Sequence, residues 1–223
     1  MSKISIKDLY KIEKVVTVKD EKTGNEADVC LRIISDSGRE DAIRYANKEK
    51  AELAKKLEDK DSPEYFALKE QIKNSPVDTL ELKIKIIKES LVGDEAYLAL
   101  RADDKYKELD DGELSDSEDF QDAYLKERSK IADEYLEKLD KNENNLRKEL
   151  MDLQLKSMLN SFFMHSFNEK ILVHAIRDPE DSSKRLFDSV EKMKDNFFGD
   201  SYVQLIEKYY GLSGNKTEND IKN

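Results

Sequence analysis

Two histidines, one cysteine and 50 carboxylates are what this chain offers for chemistry. His165 and His174 stand nine residues apart on a helical stretch. Nine steps of about 100° put them half a turn out of phase, so they cannot share a metal within one helix. With Cys30 as the single thiol, a zinc site has almost no ligand supply, and no internal disulfide framework can form. Cys30 falls in a strand-like segment, on the face opposite Val29 and Leu31, where an ordinary half-buried thiol is expected. Asp110-Asp111-Gly112 resembles part of a calcium loop. The EF-hand template needs an aspartate five residues before that glycine, and Lys107 stands there. Glu149 and Asp152 read as a solvated helix face. No Gly-rich phosphate loop and no Gly-x-Ser-x-Gly elbow occurs. An enzyme is therefore disfavoured, and neither a cofactor nor a metal is expected.

The elements that would have to position any site are mostly helical. Charged residues make up 40% of the 223, apolar ones 38%, with seven Gly, three Pro and no Trp. Few turns and much solvated surface imply few, long elements. The net charge of −11 argues against a phosphate-tracking nucleic-acid groove and against an anionic membrane surface. The richest apolar window, residues 158–176, is broken by polar residues and falls short of a membrane span. Residues 1–8 lack the apolar stretch of a signal peptide. A cytoplasmic protein is expected.

Residues 12–19 are rich in β-branched types, and residues 27–34 alternate with Val29, Leu31 and Ile33 on one face. The polar stretch between them contains Gly24, so the pair predicts a β-hairpin. Ser37-Gly38-Arg39-Glu40 has the form of a capping box for a helix running to about residue 59. Ser62-Pro63 opens the next helix. Residues 80–91 fit a strand period through Leu80, Leu82, Ile84 and Ile86. They also fit a helical stripe through Leu80, Ile84, Ile87 and Leu91, and the helix is preferred; Gly93 is read as its end. Residues 103–119 carry nine Asp or Glu against two Lys and read as an exposed acidic linker. From Phe120 onward a helical stripe runs through Tyr124, Ile131, Tyr135 and Leu139, weakens at the asparagines near 142–145, and broadens from about residue 155. Asp178-Pro179 should end it. Short helices follow after Ser189 and Asp200. The expected organisation is residues 1–102 with a hairpin and helices, the linker 103–119, a helical region 120–212 with one long helix, and a disordered tail 213–223.

Several of these segments, in this order, resemble the tail assembly chaperones of long-tailed bacteriophages. They are Val15-Val16-Thr17-Val18 with Thr23-Gly24, Arg39-Glu40-Asp41-Ala42 opening a charged helix, Ile176-Arg177-Asp178-Pro179, Arg185-Leu186-Phe187-Asp188-Ser189, and the stretch 205–209. The resemblance implies a non-enzymatic chaperone made in the infected cell. It would hold the tape-measure protein, help recruit major tail subunits, and be absent from the finished virion. Apolar stripes on long helices suit helical partner segments, and the hairpin edge suits pairing with another subunit, which leaves a homo-oligomer open. Phe162, Phe163, Phe167 and Tyr209 are the expected core or partner-facing cluster.

Two other readings stand beside this one. The acidic run at 103–119 could imitate nucleic-acid charge and block a DNA-binding enzyme, a contact that salt would weaken. Alternatively, the protein is a structural tail or head-completion component. The fold class expected under all three is mainly α, with long charged helices and a small N-terminal β-hairpin.

Overall fold

A computed structural model describes residues 13–19, 24, 26–110, 113–114, 117–197 and 199–213. It is mainly α with one small antiparallel sheet, as the periodicities imply. The chain divides into two compact units, residues 1–49 with 162–223, and residues 50–161. The division falls at these points and not at the acidic run, which lies inside the second unit.

The first unit contains the sheet. Strands β1 (Glu13–Lys19) and β2 (Glu26–Arg32) form the expected hairpin. Of the turn between them, only Gly24 is described. Its φ of 72° lies in the left-handed region that favours glycine. A third strand, β3 (Ile176–Arg177), pairs antiparallel with β2, matching Leu31 to Ile176 and Cys30 to Arg177. The side-chain period of two then sorts the sheet. Val16, Val18, Val29, Leu31 and Ile176 share one face, and of these all but Val16 are buried. This face packs on Ala42 and Ala46 of helix α1 (Asp36–Glu58), and on Ile171, Leu172 and Ala175 late in a long helix ending at Ala175. Leu205 and Tyr209 complete the same core from a later helix. Cys30 occupies the opposite face and is only 4% exposed, because β2 is the central strand; the half-buried thiol expected there is fully buried.

Helix α1 starts two residues earlier than the capping box implied. Ser35, not Ser37, supplies the N-cap: its Oγ accepts from the Gly38 amide at 3.4 Å, and its carbonyl accepts from Arg39 N–H at 3.0 Å.

The regular elements described in the second unit are all helices. Helix α2 (Pro63–Lys73) is capped by Ser62, whose Oγ accepts from Tyr65 N–H at 3.1 Å, with Pro63 at the first position as expected. A 3-10 turn at Val77–Thr79 leads into α3 (Leu80–Leu91), and the preference for a helix there holds. Gly93 opens α4 (Gly93–Arg101) rather than closing α3. Helix α5 (Glu118–Glu137) is capped by Ser117 Oγ, and α6 (Glu143–Ala175) is the long helix. At 33 residues it spans about 50 Å. The unit boundary at residues 161 and 162 falls within it.

Burial along α6 begins at Leu146, Leu150 and Leu153, ahead of the expected point near 155. These residues pack on Leu68, Ile72, Leu80 and Ile84. Helix α6 also ends before Asp178-Pro179, because the chain extends into β3. Within the acidic run, Tyr106 and Leu114 are buried against Phe120, Asp119 takes the Tyr106 hydroxyl at 2.6 Å, and Lys105 pairs with the same carboxylate. In the first unit, α7 (Val190–Asn196) is capped by Ser189, and α8 (Asp200–Ser213) closes the described chain. The tail expected to be disordered lies, beyond Ser213, outside the described residues.

Candidate functional site

The four aromatic residues singled out in the sequence are placed unequally. Phe167 and Tyr209 are buried in the core of the first unit, and Phe163 packs against that core from a partly buried position. Phe163 and Phe167 stack nearly parallel at 6.1 Å, one helical turn apart. Tyr209 stands edge-on to Tyr210 at 5.5 Å, and its hydroxyl bonds to the backbone of Ile34, while burial raises its pKa. Phe162 is half-buried and is not part of the core cluster.

The histidines occupy opposite faces of α6, as their spacing requires. His165 is half-exposed and bonds Glu169 at 2.9 Å. Glu169 is a buried carboxylate that also meets Lys194 at 2.7 Å. Burial pushes its pKa up, but the bonds from His165 and Lys194 outweigh this and hold it below the usual value. His174 is 7% exposed, and its Nε2 meets Asp41 Oδ2 at 2.8 Å. Burial lowers the His174 pKa, only partly offset by Asp41. The bond to His174, with Lys170 beside it at 3.4 Å, lowers that of Asp41. Among the described residues no group of three His, Cys, Asp or Glu converges in a metal-like arrangement, and no helix is long and apolar enough to cross a membrane. Asp111 and Gly112 of the calcium-like fragment lie outside the described residues.

The second unit turns apolar side chains outward. Leu80 and Ile84 of α3 are fully buried, whereas Leu82 and Ile86 are 60% and 57% exposed. The strand-like alternation in this segment arises because both sides of the helix are apolar. Ile86 borders a shallow groove of about 210 Å³ with Ile72, Ile87 and Leu150 on its walls, and with Gln71 and Lys83 supplying polar groups.

The first unit holds a larger cleft of about 510 Å³, and it is strongly basic. Strand pairing builds it. Arg32 follows Cys30 by two residues on β2, so both point to the same side of the sheet. Arg177 pairs with Cys30 across β3, and Arg185 pairs with Arg177 through an antiparallel bridge. Three guanidinium groups are thereby gathered on the sheet face away from the core. The N-terminus of α1 supplies Ser35, Ser37 and Gly38, and α6 supplies His174. Among the described residues no carboxylate lines the cleft. Burial lowers the pKa of Arg177, and Arg185 and Arg32 lower it further.

No protein-family model matches this chain, and neither a curated protein nor a solved structure is significantly similar to it.

The arginine cleft escapes a reading of the sequence because β3 is two residues long and directly follows a 33-residue helix. Its one local signal is the break at Asp178-Pro179, after which Arg185 returns beside Arg177. The outward pair on α3 is visible in the sequence only as an ambiguity between two periods.

Proposed function

We propose that this protein is a non-enzymatic assembly chaperone of the long-tailed phage type, working in the host cytoplasm. It holds the tape-measure protein and helps recruit major tail subunits. The observation that carries the reading is the outward apolar pair Leu82 and Ile86 on a helix whose other side is already core. Two large aliphatic side chains at i and i+4, beside an apolar groove, suit the apolar stripe of a partner helix. The 103–119 run is partly neutralised by its own lysines and packed on aromatic side chains, which favours an apolar partner contact over charge mimicry. The partner is the one implied by the resemblance of these segments to tail assembly chaperones.

The test is capture with the tagged protein from phage-infected cells, washed at low and at high salt. A long, helix-rich tape-measure protein retained in high salt is the expected result. A DNA-binding enzyme that salt releases would sink the reading, and so would recovery of the protein in finished particles.

A further inference from the structure

We propose that the arginine cleft of the first unit is a binding site for a phosphate group, either free phosphate or a phosphate monoester. The chain carries 50 acidic and 39 basic residues, yet Arg32, Arg177 and Arg185 line one cleft with no carboxylate among its described lining residues. Like charges brought together without a counterion destabilise the fold that gathers them. Asp36 stands in the first turn of α1 beside the cleft, and two further carboxylates near these groups have partners of their own. Glu13, opposite Arg32 in the β1–β2 register, accepts from Ser182 Oγ at 3.2 Å, and Asp41 is held by His174 and Lys170.

Unmet hydrogen bonding points to the same place. Among the described residues, three buried side-chain polar atoms have no partner: His174 Nδ1, Arg177 Nε and Tyr202 Oη. Of these, Arg177 Nε is a donor on a residue lining this cleft, whereas His174 Nδ1, with Nε2 donating to Asp41, is an acceptor. A buried donor without an acceptor is costly, and an oxyanion in the cleft would remove that cost at Arg177. His174 is more than nine-tenths buried beside the first turn of α1, where the helix dipole also favours negative charge.

The ligand chemistry follows from the donors. Three guanidinium groups offer planar, paired N–H donors from different directions. A tetrahedral dianion can accept from all of them, whereas a single carboxylate presents one plane and one charge. The cleft is several times larger than a phosphate group, which leaves room for an esterified alcohol. The site belongs to the first unit and Leu82 and Ile86 to the second, so this inference does not depend on the chaperone reading.

The test is calorimetric titration of the full chain with inorganic phosphate, glycerol phosphate and acetate at matched ionic strength. Arg32→Gln and Arg185→Gln serve as variants. Arg185 is exposed and Arg32 half-buried, so both should fold, with circular dichroism as the check. Saturable binding of a phosphate species, weakened about tenfold or more in each variant, is expected. Tighter binding of glycerol phosphate would identify the ester, and equal or weaker binding would identify free phosphate. No saturable binding of either species, binding unchanged in both variants, or acetate binding as tightly as phosphate would each overturn the proposal.

Discussion

His174 and Asp41 show how a single contact ties two helices of the first unit together and sets a pH response. The His174 pKa is lowered, chiefly by burial, so the unfolded chain takes up that proton more readily than the folded one. Stability should therefore fall as pH drops below about 6.5, and level off below the folded pKa. Asp41 acts in a lower window. Its lowered pKa stabilises the fold above the usual carboxylate range, and that contribution is lost as pH falls through its folded value. Arg185, Lys170 and Asp41 are the charged groups acting on His174. In urea melts at a series of pH values, His174→Gln should flatten the decline below neutrality, and an unchanged slope would assign it to other groups. At the same scale, Arg147 donates to the carbonyls of Ile72 at 2.5 Å and Ser75 at 3.1 Å, closing the end of α2. Arg147→Ala should cost about 2 kcal/mol by chemical denaturation. Arg147→Lys should recover only part of this, since a single ammonium lacks the planar fork.

At the scale of elements, strand β3 has the largest consequences for its length. Two residues convert a marginal hairpin into a three-stranded sheet, carry Ile176 into the core and place Arg177 on the opposite face. Ile176→Ala should destabilise the chain by about 2–5 kcal/mol in a urea titration, since Ile176 is fully buried. The edge of β1 is in turn partly occupied. Gln204 of α8 accepts from the Lys19 amide at 3.2 Å and donates to the Lys19 carbonyl at 2.9 Å, blunting one end of the strand that subunit pairing would use. Helix caps follow ordinary side-chain chemistry. Ser35→Ala, which removes the N-cap of α1, should cost about 1 kcal/mol in the same assay.

For the whole molecule, three apolar clusters among the described residues hold the fold, one of them around Phe120, and the outward pair Leu82 and Ile86 belongs to none of them. The sheet face, α7, α8 and the ends of α1 and α6 bury one core; α2, α3 and the first part of α6 bury another. Leu82→Glu with Ile86→Glu should abolish capture of the tape-measure protein in the pull-down. Stability should change by no more than about 0.5 kcal/mol, as is usual for exposed positions. Retained capture by the double variant would move the partner surface elsewhere. The net charge of −11 would keep a holdase soluble, and salt would not weaken an apolar contact.

The sequence by itself determined the helical class, the hairpin, the opening of α2 at Ser62-Pro63, and the opposed faces of His165 and His174. Each depends on periods or caps that act over a few residues, and those are written locally. It grouped Phe162, Phe163, Phe167 and Tyr209, of which the first-unit core takes all but Phe162. Only the tertiary structure decided that the chain divides at residues 49 and 161, that Leu82 and Ile86 face outward, and that three arginines share one side of a sheet. Those features depend on pairings between distant segments: Asp41 meets His174 across 133 residues, and β2 meets β3 across a comparable span. Local periodicity carries no information about which distant strand completes a sheet. The arginine cleft arises at such a junction, where burial and register override what each segment shows alone.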